Sequence, residues 1–305
     1  MKQQDWRGVF PAITTPFTKD LAIDYEALQK HVLWLVDSGC RGVVALGSLG
    51  EGATLSFDEK ISIIKTCKDA LPADVPVIPG IAALSTAEAV KLAKAAATAG
   101  CDGLMILPPY VYRGDWRETE AHLSSVITAT SLSCILYNNP IAYGTDILPE
   151  QMKALAERHE NLHAVKESSG DVRRVTAIRE LLGDRLAVFA GLDDAILESI
   201  AVGAVGWVAG LVNALPVESV RLFDLATAGQ FEEAQKLYKW FLPLLRLDTL
   251  PNFVQLIKLV QREVGRGSAN VRPPRLELEG TELEEATKLI LRQLGRRNSL
   301  TASTT

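Results

Sequence analysis

The chain has 305 residues, of which 48% are apolar and 23% charged, with a formal net charge of -5. That is the balance of a globular protein with a large core, and it excludes a disordered or fibrous chain. A sequence pI near 5.5 with no basic stripe argues against nucleic acid and anionic membrane surfaces as partners.

In chain order, VFPAIT is the first of eight short apolar runs. YEALQKHVLWLVDSG then leads to GVVALG, FDEKISIIKTCKDAL to VPVIPG, TAEAVKLAKAAATAG to GLMILPP, ETEAHLSSVITAT to SCILYNNP, and PEQMKALAERH to HAVKESS; LAVFAG and VGWVAG complete the series. The runs are rich in Val, Ile, Leu and Ala and do not alternate, as expected of parallel strands buried on both faces. The intervening stretches repeat apolar residues at three- and four-residue spacing, the mark of amphipathic helices. Eight βα units favour closure into a (β/α)8 TIM barrel over an open sheet. Further helices follow from about Pro216, including EEAQKLYKWFLPLLRL, LPNFVQLIKLVQREVG and TELEEATKLILRQLG. The expected organisation is therefore a barrel over 1–215, C-terminal helices packed on it over 216–298, and a polar, disordered tail over 299–305. The amino-terminal MKQQDWRGVFPAITTPF lacks the apolar core of a secretion signal. The longest apolar runs, such as AVGAVGWVAGLV, are too short to span a bilayer, so a cytoplasmic protein is expected.

Cys40, Cys67, Cys101 and Cys134 form no C-x-x-C pair and read as buried, reduced thiols. His31, His122, His159 and His163 form no H-x-x-x-H or His/Cys/carboxylate cluster, so no metal site is expected.

In such a barrel the chemistry sits where the strands end. Lys166 ends the sixth run, where burial would lower its pKa and leave a neutral amine able to attack a carbonyl. Alternatively, it leaves the strand toward solvent or pairs with Glu167. Tyr137 ends the fifth run and could relay protons in the same cavity, or simply pack in the core. Gly47 to Glu51, GSLGE, follow the second run. With glycines flanking Ser48 and Leu49 and a helix starting nearby, they suit a carboxylate, or form only a tight turn. Neither G-x-G-x-x-G nor a phosphate-binding G-x-x-x-x-G-K-[ST] loop is present.

FPAITTPF, GSLGE, LPPYVYRG, YNNP, VKESSGD, AGLDD and GAVGWVAG, in this order and spacing, resemble the dihydrodipicolinate synthase / N-acetylneuraminate lyase family from about Val9 to Pro274. The resemblance implies a (β/α)8 barrel, a homotetramer, and class I lyase chemistry through a lysine imine with no metal or organic cofactor. It assigns the imine to Lys166, the proton relay to Tyr137 and carboxylate binding to Ser48 and Leu49. A backbone carbonyl near Val208 would line the site, and Gly191 would let substrate approach the strand.

Three positions depart from the synthase pattern. Leu49 stands where the synthases have a second relay threonine. Ala142, beside Tyr143, stands where an arginine holds the carboxylate of the aldehyde substrate. Val111, flanked by Tyr110 and Tyr112, stands where a neighbouring subunit inserts a tyrosine. A 2-keto acid such as pyruvate, or a cyclic imine, remains the implied substrate. The departures point toward a catabolic dehydratase or deaminase, of the 1-pyrroline-4-hydroxy-2-carboxylate or 2-keto-3-deoxy sugar acid type. Dihydrodipicolinate synthase or a 2-keto acid aldolase is the alternative, and a non-catalytic keto-acid-binding barrel the alternative of another class. Asn138, Asn139, Ala142 and Tyr143 are expected to shape the specificity end, Glu51 to act as a catalytic acid or to orient the GSLGE turn, and Arg173 and Arg174 to lie on an exposed helix start rather than clamp a phosphate or carboxylate.

Overall fold

The computed structural model describes residues 1–109 and 111–297. All eight apolar runs form strands: β1 (Gly8–Pro11), β2 (Val43–Ala45), β3 (Val77–Ile81), β4 (Gly103–Ile106), β5 (Ser133–Asn138), β6 (Leu162–Glu167), β7 (Ala187–Ala190) and β8 (Gly206–Ala209). They pair in parallel in the order β1-β8-β7-β6-β5-β4-β3-β2. Beyond the two outer strands, a parallel bridge between Ala12 and Val44 closes the ring, helped by Arg41 N donating to Val9 O at 2.9 Å. The result is the expected (β/α)8 barrel.

Closure at β1 is pinned from inside the polypeptide and not by the ladder alone. The fully buried Asn213 donates to Ala12 O at 2.8 Å, while its Oδ1 accepts from Thr14 N at 3.2 Å and meets His31 Nε2 at 2.9 Å. At the N-terminal end of the barrel Trp6, Phe10 and Phe189 form an aromatic plug, with centroids 5.7–6.2 Å apart. This plug fills the barrel interior at its N-terminal end.

The helices, in chain order, are α1 (Tyr25–Asp37), α2 (Phe57–Ala70), α3 (Thr86–Thr98), α4 (Trp116–Ile127), α5 (Pro140–Tyr143), α6 (Pro149–Arg158), α7 (Arg173–Leu182), α8 (Ile196–Ala201), α9 (Pro216–Thr227), α10 (Phe231–Leu245), α11 (Phe253–Glu263) and α12 (Gly280–Gly295). None of the described helices is long and apolar enough to cross a membrane. α9 packs on β1 as the last barrel helix, and α10–α12 follow it. A 3-10 turn at Arg246–Thr249, between α10 and α11, packs against the 3-10 turn Asp193–Ala195 that follows β7. The C-terminal helices thereby reach the rim where the strands end. The expected tail over 299–305 lies outside the described residues.

All four cysteines are buried and unpaired, and burial pushes each thiol up to about 12. Among the described residues no group of three His, Cys, Asp or Glu side chains could hold a metal ion.

Candidate active site

The register pairs Tyr137 of β5 with Lys166 of β6, and the next residues, Asn138 and Glu167, with each other. Successive side chains of a strand point to opposite faces, so the two pairs go opposite ways. Lys166 is 6% exposed, and its Nζ sits 4.2 Å from the centroid of the Tyr137 ring. Glu167 turns away: Asn138 Nδ2 donates to it at 3.0 Å and Ser169 N at 2.6 Å. Pairing of Lys166 with Glu167 is thus ruled out, and so is exit to solvent. Asn138, expected at the specificity end, instead braces the loop after α5, accepting from Ile147 N at 2.9 Å.

Burial lowers the pKa of the Lys166 amine, against the opposing charges of Asp248, Tyr143 and Asp193. Among the described residues it forms no ion pair. Burial also pushes the Tyr137 phenol up to about 12, opposed by the hydrogen bond from Asn139. Burial therefore favours the neutral form of each group: an amine with its lone pair and a phenol with its proton.

Asn139 organises the adjoining wall. It caps α5, accepting from Ala142 N at 3.0 Å, and donates to Tyr137 Oη at 2.9 Å. That short helix aims Tyr143 inward. Its ring meets the Tyr137 ring edge-on at 5.7 Å, and its hydroxyl is hydrogen-bonded to Ser48 Oγ. Ala142, on the same short helix, is exposed. Ser48, Tyr143, Tyr137 and Lys166 thus line one wall of the cavity.

The GSLGE turn is built differently from the expectation. Gly47 has room for a Cβ, whose nearest neighbour would be Met105 Cε at 3.7 Å. The left-handed positions are Leu46 (φ 63) and Glu51 (φ 55), costing about 1–2 kcal/mol each. Close approach makes Gly50 and Gly52 obligatory: a Cβ would meet Ile13 O at 2.9 Å and Leu46 O at 2.2 Å respectively. Glu51 holds the turn from behind. It is fully buried, takes Lys258 Nζ at 2.5 Å and accepts from Arg272 N at 2.9 Å. The Leu49 side chain is buried beneath the turn. The helix dipole expected to assist is spent elsewhere, since α2 starts at Phe57 and its end is satisfied by the Ser56–Glu59 capping box.

Gly191 has a more exact role than substrate access. A Cβ there would lie 1.9 Å from Ser168 Oγ and 2.9 Å from both Glu167 O and Lys166 Cε, so the missing side chain leaves room for the Ser168 hydroxyl, the β6 backbone and the lysine stem together. Gly191→Ala is expected to displace Lys166 and lower kcat by at least about a hundredfold, since misplacement by about 1 Å costs that much. A crystal structure of the variant with Lys166 unmoved would contradict this. Val208 is buried in β8, paired with Phe10. Tyr112 is 59% exposed, with its hydroxyl on Glu118, and Val111 is 75% exposed. Tyr110 lies outside the described residues. Arg173 and Arg174, at the start of α7, pair with Asp171 and Asp146.

Two carboxyls near Lys166 were not anticipated from sequence. Asp193 is fully buried beneath the rim; its oxygens accept from Trp207 Nε1 at 3.0 Å, Gly210 N at 3.1 Å and Leu211 N at 2.7 Å. Burial raises it to about 6, against those donors. Asp248 comes from the 3-10 turn at Arg246–Thr249. The only sequence signal was for Asp193, an acid two residues beyond the seventh run. Asp248 gave none.

A closed βα barrel plugged at one end, with a buried lysine and tyrosine side by side at the other, defines the class of lysine-bearing barrel enzymes. The Dihydrodipicolinate synthetase family model matches residues 5–293, and the chain belongs to that family, whose members are lyases. The chain is 35% identical over 281 residues to the 4-hydroxy-tetrahydrodipicolinate synthase of Haloarcula marismortui, covering 92% of this chain and 91% of that protein. It is 30% identical to the one from Methanocaldococcus jannaschii, covering 95% and 99%. The structure of the 4-hydroxy-tetrahydrodipicolinate synthase from the methanotroph Methylacidiphilum fumariolicum SolV superposes with a TM-score of 0.93 at 29% identity, covering 97% and 98%. YagE of E. coli K12, a prophage protein of the dihydrodipicolinic acid synthase family solved in complex with pyruvate, superposes at 0.89 with 25% identity, covering 95% and 99%.

Proposed function

We propose that the chain forms an imine between Lys166 Nζ and C2 of a short 2-keto acid, and then expels a hydroxyl from C4, as a dehydratase or deaminase. The observation that carries the imine is the buried Lys166 amine, unpaired among the described residues and stacked 4.2 Å from the Tyr137 ring. Attack on C2 releases water; the C3 proton then leaves through the Tyr137 hydroxyl, with the imine as electron sink. The backbone of Ser48 and Leu49 is the proposed seat of the substrate carboxylate. Asn139 and Tyr143 face the distal carbons. Gly47, Gly191 and Val208 serve as backbone, and no cofactor is required.

Elimination is favoured over condensation by what stands near C4. Ala142 offers no guanidinium for a second carboxylate, and Tyr143 is tied to Ser48. A second reading is condensation of pyruvate with a carboxylate-bearing aldehyde, in keeping with the synthase name that the relatives share. It is favoured also by Arg113, whose guanidinium lies against Gly144, two residues from Ala142.

Turnover of 4-hydroxylated 2-keto acids and pyrroline carboxylates, followed by proton NMR beside pyruvate with such an aldehyde, tests the choice. Elimination is expected to be the faster by kcat/KM. Faster condensation, lost in Arg113→Ala, would establish the second reading instead. Tyr137→Phe is expected to lower kcat by about 10²–10³-fold while borohydride still traps pyruvate on Lys166; unchanged kcat would remove Tyr137 from the proton path. A homotetramer is proposed with this function, and light scattering on a sized sample reads it directly.

A further inference from the structure

We infer that Asp248, carried by the C-terminal helices to the rim of the barrel, donates the proton that leaves with the C4 hydroxyl. This rests on the elimination proposed above and names the acid it needs.

The placement comes from contacts on one glycine. Gly210 follows β8 directly, on the rim where β6 presents Lys166. A Cβ on Gly210 would fall 1.9 Å from Asp248 Oδ1 and 2.9 Å from Oδ2, so the carboxyl occupies the space above its Cα. The backbone there, φ -95 and ψ -55, suits any residue, so glycine is needed for the carboxyl and not for the turn. From below, Asp193 grips the amide of the same Gly210 with both oxygens at 3.1 Å.

The two carboxyls differ in what they have left to give. Asp193 is consumed by Trp207, Gly210 and Leu211. Asp248 accepts no hydrogen bond from any described group and is half-buried. When ionised, it is also the strongest carboxylate influence on the Lys166 amine, ahead of Asp193. Burial, with Asp193 and Asp194 nearby and Lys166 opposing, holds the Asp248 carboxyl well above the usual carboxylate range. That environment favours the protonated form of the carboxyl, the form a proton donor needs.

The step balances. In the Lys166 enamine the nitrogen lone pair re-forms the C2=N bond, the C2=C3 pair moves to form the C3–C4 double bond, and the C4–O bond breaks. The departing oxygen takes the electron pair of that bond and the proton of Asp248, leaving as water. Asp248 is left as a carboxylate and recovers its proton from solvent, and hydrolysis of the conjugated imine frees Lys166.

Asp248→Asn is isosteric and removes only the acid. With a 4-hydroxylated 2-keto acid its kcat is expected to fall by at least about a hundredfold. Borohydride trapping of pyruvate on Lys166 should stay at the wild-type level. With the 4-chloro analogue, whose leaving group needs no proton, kcat is expected within about threefold of wild type. Gly210→Ala, which keeps the acid but pushes it aside, is expected to give the same pattern. Equal loss on both substrates, or a hydroxyl substrate turned over at the wild-type rate by Asp248→Asn, would overturn the role. Wild-type enzyme that traps pyruvate yet eliminates no hydroxyl substrate would instead sink the elimination itself, and this proposal with it.

Discussion

Lys166→Ala is expected to abolish turnover, by at least about a thousandfold, while the variant keeps the wild-type circular dichroism spectrum and melts no lower. The loss follows from chemistry, because Lys166 is the amine that stands beside Tyr137 in the wall that Ser48 and Tyr143 continue. Folding should not suffer. The lysine is buried without an ion pair among the described residues, and burial already lowers its pKa. Truncation therefore removes a desolvated group that contributes little to stability. The sign of the pH effect follows from the same fact. Its folded pKa lies below the unfolded value, so the unfolded chain binds the extra proton and the wild type gains stability as pH rises through that interval. Lys166→Ala should flatten that part of the stability profile. Turnover retained within tenfold would remove Lys166 from the reaction.

Glu51→Ala is expected to be the most damaging change outside the cavity, at about 3–5 kcal/mol, because it strands a buried ammonium. Lys258 is 2% exposed; besides Glu51 it has the Asn270 carbonyl at 2.7 Å and the face of Phe17 at 4.4 Å. These two contacts cannot neutralise its charge, and Arg272 N loses its acceptor as well. The melting temperature should fall by about 5–8 °C on the size scaling of unfolding entropy. The GSLGE turn, left-handed at both ends, should loosen with it and raise KM. Replacing Lys258 by methionine in the Glu51→Ala background should recover most of the stability but not KM. A melting temperature within 2 °C of wild type for Glu51→Ala would show the pair to be dispensable.

Most of the barrel was legible in the sequence because buried parallel strands write themselves as unbroken apolar runs. VVA, VIPGI and GLMI are read directly, and the register of β5 on β6 follows once they are neighbours. Tyr137 and Lys166 were legible for the same reason, since each ends such a run. What distinguishes one side chain from the next within a strand was less so. Asn138 and Tyr137 are adjacent, but only the pleat decides that one braces a loop and the other faces the cavity. Glu51 was read as orienting its turn, yet its partner Lys258 lies 207 residues away and looks like any helix lysine. Gly47 stood out to the eye, whereas the strain sits at Leu46 and Glu51, where no glycine marks it. Asp248 carried no signal, because a polar residue between two helices is ordinary until the fold sets it over Gly210.

Borohydride reduction of the wild-type enzyme in the presence of pyruvate, followed by peptide mass spectrometry, tests the central claim most directly. The predicted result is a single reduced adduct on the peptide that carries Lys166, absent from Lys166→Ala. An adduct on another lysine, or none with pyruvate or with any hydroxylated 2-keto acid at saturating concentration, would contradict the imine on which the rest depends.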